Sequence, residues 1–136
     1  DGDLRPDLEE STRDLGSSFR VLGWRSDLAN VYRQAFLVVL TSDNEGMPVS
    51  LIEASLAGKP CVTTDVGSAR EVVLHNETGL VVSRDTAAIA AAILELLDDP
   101  ERASSYGRAA RSWAESRFSP ERLVKDHRLL YEQLLP

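Results

Sequence analysis

The sequence has one cysteine, Cys61, in 136 residues, which excludes a disulfide within the chain and fits a reducing compartment. Cys61 lies in Pro60-Cys61-Val62-Thr63-Thr64, the composition of a buried strand, so it reads as a small core residue and not as a nucleophile. Positive charge is scarce: 15 Lys and Arg face 22 Asp and Glu, for a formal net charge of −7. That balance excludes nucleic acid and anionic membranes as partners held by bulk electrostatics. A phosphate held by local backbone donors remains compatible with it. No apolar run is long enough to cross a bilayer, and the acidic start is unlike a signal peptide. A soluble, cytoplasmic protein is expected. Metal ligands are also sparse. His75 has no partner at ligand spacing, and Asp1-Gly2-Asp3 forms an isolated D-x-D with no strand before it, so no metal site is read.

What is present has the dimensions of one domain with a real core. Hydrophobic residues make up 43% and charged residues 27% of the chain, ordinary values for a folded globular protein. The most informative stretch runs from Asp43 to Pro60. It follows the apolar run Phe36-Leu37-Val38-Val39-Leu40-Thr41, which reads as a buried strand. Pro48 is expected at the first helical position, where its missing N–H costs nothing, and Gly58 at the helix end. The backbone N–H groups from Gly46 through Met47, Pro48, Val49 and Ser50 to Leu51 (proline itself has none) then surround a helix start, which favours a phosphate. Glu53 follows five residues after Pro48, roughly 7 to 8 Å along the axis. Its side chain leans back toward the helix start, within reach of a ribose beside that phosphate. Glu45, just ahead of the helix, can meet whatever hangs on the other side. A carboxylate, a row of donors and a second carboxylate suit a nucleotide that carries a sugar.

The segments Glu45-Gly46-Met47-Pro48 to Glu53-Ala54, Ala57-Gly58-Lys59-Pro60, Thr64-Asp65-Val66-Gly67, Glu71-Val72-Val73 and Glu77-Thr78-Gly79-Leu80-Val81-Val82 recur in the same order in a known family. On them the chain resembles the C-terminal, donor-binding domain of retaining GT-B-fold glycosyltransferases, the group with the E-x7-E motif. The resemblance implies an α/β fold: a parallel sheet with helices on both faces, a partial Rossmann-like domain. Strands are expected near residues 19–22, 36–41, 60–64 and 79–82. It further implies Glu45 as the catalytic contact to the donor sugar, Glu53 on the ribose, and residues 46–51 on the diphosphate. In this family the loop after the Gly23-like glycine, here Trp24 and Arg25, meets the base. No cofactor and no metal are implied beyond the nucleotide-sugar donor; the acceptor is a sugar, lipid or small molecule.

The same resemblance implies that the chain starts about halfway along the donor domain and is N-terminally truncated, without an acceptor domain and inactive alone. Residues 1–118 would form the partial donor domain, and residues 119–136 a helix crossing back toward the absent domain. Nucleotide-sugar epimerases and glycosyl phosphorylases share the architecture, and a non-catalytic nucleotide-binding fragment is a further alternative.

Elsewhere the sequence predicts an exposed helix over residues 5–15 ended by Gly16, and a short helix capped by Ser26 with Leu28, Val31 and Tyr32 inward. Ala69 to Val73 reads as another short helix, with Arg70 solvated or touching a phosphate, and Asn76 as a turn residue in left-handed conformation. Three further helices are expected: one capped by Asp85, one started by Asp99-Pro100 and one by Ser119-Pro120. The last is expected to turn Leu123, His127, Leu130 and Leu134 inward, with part of its apolar face left exposed for self-association.

Overall fold

The computed structural model describes residues 2–135; Asp1, and with it the D-x-D reading, lies outside them. A parallel sheet is built from β1 (Val38–Leu40), β2 (Cys61–Thr64) and β3 (Gly79–Val82), in that spatial order. The register pairs Val39 with Val62 and Val62 with Leu80. Each strand is followed by a helix, as parallel connections require: α3 (Val49–Leu56) after β1, α4 (Ala69–Val72) after β2, and α5 (Thr86–Asp98) after β3. Two long helices end the chain, α6 (Pro100–Arg117) and α7 (Pro120–Leu134). Ahead of the sheet come α1 (Arg5–Ser11), a 3-10 segment over Arg13–Ser18 and α2 (Leu28–Gln34).

Alternation along the strands divides the core into two halves. Cys61 and Val81 point to one face, where Leu51 and Ala54 of α3 and Ala69 and Val72 of α4 cover them. Val62 and Leu80 point to the other, where Ala92 and Leu96 of α5 and Ala103 and Tyr106 of α6 close the layer. Helices therefore lie on both faces, as expected. The α3 C-terminus is a Schellman turn: Lys59 N–H donates to the Ala54 carbonyl at 3.0 Å and Gly58 N–H to Ser55 at 2.8 Å, with Gly58 at φ +71°. Among the described residues no helix is long and apolar enough to cross a membrane.

Several sequence expectations need correction. Residues 19–22 are not a strand of the sheet; Phe19 is extended, but no ladder partner meets the segment, and alternating composition cannot supply one. β1 is shorter than predicted and is the half-buried edge of the sheet. The first α-helix stops at Ser11, earlier than expected, and passes into 3-10 turns; Gly16, at φ +53° and ψ −128°, is not helical and breaks the stretch where the sequence placed its end. Asp27, not Ser26, is the N-cap residue of α2, and Leu28 is exposed while Val31 and Tyr32 are half-buried. The α7 stripe does not point into this chain: α7 has no buried residue, and His127 is exposed with Nδ1 2.8 Å from the Leu123 carbonyl. The predicted caps Asp85, Asp99 and Ser119 do accept backbone N–H bonds from Ala88, Arg102 and Arg122. Asn76 adopts φ +64°, as anticipated.

Candidate functional site

The loop between β1 and α3 carries Glu45 to Pro48, and α3 begins one residue later than expected. Pro48 is the N-cap, at ψ +102°, and Val49 the first helical residue. The cause is local: the Pro48 carbonyl accepts from Leu51 N–H at 3.1 Å and Ile52 N–H at 3.4 Å. Leu51 is thereby removed from the set of outward donors and is wholly buried in the core. Val49 and Ser50 remain at a helix start that no side chain caps, where orphan N–H groups and the positive end of the dipole coincide.

The two glutamates are each held by a neutral hydroxyl. Ser42 Oγ donates to Glu45 Oε1 at 2.7 Å, and Tyr32 OH donates to Glu53 Oε2 at 3.1 Å across the α2–α3 contact. In both cases the hydroxyl engages one of the two carboxylate oxygens. Burial, then the hydrogen bond from the phenol to Glu53, pushes the Tyr32 phenol up to about 12, so it keeps its proton and acts as a donor at any working pH.

The loop after β2 braces the loop after β1. Thr64 Oγ1 donates to the Ser42 carbonyl at 2.6 Å, and Ser68 N–H donates to the Gly46 carbonyl at 3.1 Å. Gly67 lies between them at φ +49°, where a Cβ would stand 1.8 Å from the Glu45 carbonyl oxygen. Only glycine allows that approach. Two of the five segments thus meet in physical contact: the Asp65-Val66-Gly67 loop sets the position of the Glu45 loop.

The remaining predicted contacts are dispersed. Trp24 is 81% exposed. Arg25 makes a two-pronged pair with Asp27, Nε to Oδ1 at 2.7 Å and Nη2 to Oδ2 at 2.6 Å; these bonds hold the Asp27 carboxyl below its usual range. Arg70 is likewise paired with Asp65 at 2.6 and 2.7 Å, at the surface. Cys61 is buried and its thiol pushed up to about 12 by desolvation, in keeping with a core role. Among the described residues no group of three His, Cys, Asp or Glu could hold a metal.

An open groove of about 460 Å³ runs between α2 and α3, lined in part by Leu28, Tyr32, Arg33, Glu53 and Leu56. A second, of about 480 Å³, passes beside Met47 and is bordered by Ile52, Glu71, Phe118 and Arg122. A third, of about 740 Å³, lies along the apolar face of α7 and includes neither glutamate. Sequence reasoning does not find Tyr32 and Ser42 as supports of the site. Tyr32 was seen as a packing residue, and only the fold shows that its hydroxyl reaches α3.

The sequence model of the family described as glycosyl transferases group 1 matches residues 1–99. The chain belongs to this family. Among curated glycosyltransferases and related proteins, N-acetyl-alpha-D-glucosaminyl L-malate synthase of Bacillus anthracis is 31% identical over 115 residues, 84% of this chain and 30% of that protein. Glycogen synthase of Mycobacterium tuberculosis is 37% identical over 94 residues, 68% of this chain and 23% of that protein. The chain therefore spans less than a third of the length of these relatives. Among solved structures, sucrose-phosphate synthase from Thermosynechococcus elongatus superposes with a TM-score of 0.90 at 31% identity, over 98% of this chain and 35% of that one. HepE of Anabaena in complex with UDP gives a TM-score of 0.82 at 28% identity, over 95% of this chain and 36% of that one. The Rossmann-like α/β architecture of this group 1 glycosyltransferase chain is thus that of GT-B enzymes.

Proposed function

We propose that the chain is the donor-binding part of a nucleotide-sugar-dependent, retaining glycosyltransferase that works without a metal. The observation that carries the reading is the uncapped start of α3 flanked by two carboxylates, each steadied by a neutral hydroxyl. Backbone N–H groups of Val49 and Ser50, with those of Gly46 and Met47, would hold the donor diphosphate. Their fixed dipoles would stabilise the charge that develops on the leaving group. Glu53 would accept from the ribose hydroxyls. Glu45 would contact the donor sugar, its carboxylate oriented by Ser42. The structure of HepE in complex with UDP supports a nucleoside diphosphate as ligand. In this reading residues 1–118 belong to the donor domain, and residues 119–136 to a helix that returns toward an acceptor domain.

The test is a titration of the chain with UDP-, GDP- and ADP-sugars followed by thermal shift, since a ligand that binds only the folded state raises its melting temperature. Stabilisation by at least one donor that Glu53→Ala removes is expected. Absence of any response would overturn the reading. In the full-length enzyme Glu45→Ala should lower the transfer rate more than donor affinity.

A further inference from the structure

We infer that Tyr32 is a positioning residue for ribose recognition, holding the Glu53 carboxylate so that the site selects a ribonucleotide over its 2′-deoxy counterpart. The inference rests on the donor-site reading above and deepens it.

The geometry has three parts. First, the Tyr32 ring is packed against the core cluster formed by Leu51, Ala54 and Cys61, so its hydroxyl is held at a fixed point by the fold. Second, that hydroxyl donates to Glu53 Oε2 at 3.1 Å between elements 21 residues apart. Glu53 is a half-buried side chain with three rotatable bonds, and without a tie its ordering on ligand binding costs entropy. Third, Arg33 lines the same groove as Glu53, its Nη2 now donating to Asn30 Oδ1 at 2.5 Å. A guanidinium is a stronger partner for a carboxylate than a phenol. A Glu53 released by Tyr32 can turn to Arg33 and present a paired carboxylate to the ligand. Tyr32 therefore engages one oxygen with a neutral donor, leaving the negative charge and Oε1 for a vicinal diol. A site built to accept from a hydroxyl discriminates against a ligand that lacks it, because an acceptor covered by the bound ligand is then left unpaired.

The experiment compares the wild-type chain with Tyr32→Phe, Glu53→Gln and the double variant, by calorimetric titration with UDP, GDP and ADP and their 2′-deoxy forms. Phenylalanine keeps the ring in the core, and circular dichroism with a melting curve verifies each fold. Wild type is expected to prefer the best ribonucleotide over its 2′-deoxy form roughly tenfold or more, the scale of one hydrogen bond to a charged group. Tyr32→Phe should reduce that ratio about 3- to 10-fold, as for the loss of one ordinary intramolecular hydrogen bond. It should leave 2′-deoxy binding nearly unchanged, which a purely structural role would not do. In the double variant the loss should be no greater than in Glu53→Gln alone, the non-additivity of residues acting as one unit. An unchanged ratio in Tyr32→Phe, or additive losses, would overturn the inference while leaving the donor site standing. Failure of the wild type to bind any of the three diphosphates would remove the donor-site reading and the inference together.

Discussion

Helices α6 and α7 begin in the same way and end with opposite fates. Each has proline at its first position and a side-chain cap, Asp99 to Arg102 N–H at 2.9 Å and Ser119 to Arg122 N–H at 3.2 Å. Yet α6 buries Ala103, Tyr106, Gly107, Ala110 and Ala114, whereas α7 buries nothing despite its larger apolar side chains. Leu123, Leu130 and Leu134 are 60%, 49% and 68% exposed. Small residues let α6 approach α3 and the sheet until backbones touch: a Cβ on Gly107 would lie 2.2 Å from the Gly58 carbonyl oxygen. Amphipathicity promises a partner, but only a surface within reach decides whether one is found.

The comparison can be broken most severely in the core that α6 covers. Leu96→Ala, at a fully buried position against α6, is expected to cost about 2 to 5 kcal/mol in urea denaturation; a loss similar to that of an α7 leucine would refute the contrast. Gly107→Ala forces the α6–α3 contact apart, with an expected cost of about 1 to 3 kcal/mol. Cap removal comes next. Asp99→Ala should destabilise the whole fold by about 1 kcal/mol, while Ser119→Ala should reduce helical circular dichroism from α7 and leave the global midpoint in place. Leu130→Ala should change stability by less than about 0.5 kcal/mol. Lowered self-association of that variant by light scattering would identify the α7 face as the contact.

A last prediction concerns pH. The Cys61 thiol is raised from 9.0 to about 12 by burial, so the unfolded chain loses its proton first. The stability it contributes is complete below pH 9 and declines as pH rises through 9 to 12. Denaturation midpoints should be level up to pH 8 and fall above 9, and iodoacetamide should label Cys61 only on unfolding.

Much of this molecule was legible in order of chain. Strands expected near 36–41, 60–64 and 79–82 from apolar runs bounded by turn residues are found at 38–40, 61–64 and 79–82; the caps at Asp85, Asp99 and Ser119 were legible from residue type, and family membership from five segments in sequence order. What escaped was set by partners. Residues 19–22 have strand composition but no neighbouring strand to bond to. Pro48 moved from first helical residue to cap because its carbonyl collects two N–H groups, a detail of ψ that composition does not specify. Tyr32 and Ser42 were legible as packing and loop residues, and their hydroxyls acquired a role only from the carboxylates they meet.

The sequence by itself determined the order of elements, the alternation that splits the core in two, and the presence of two glutamates flanking a helix start, since these depend on residues close in the chain. The tertiary structure decided which carboxylate oxygens are engaged, that Gly67 presses on the Glu45 carbonyl, and that α7 is left uncovered. Those outcomes depend on groups far apart in the chain, whose separations only the folded backbone sets.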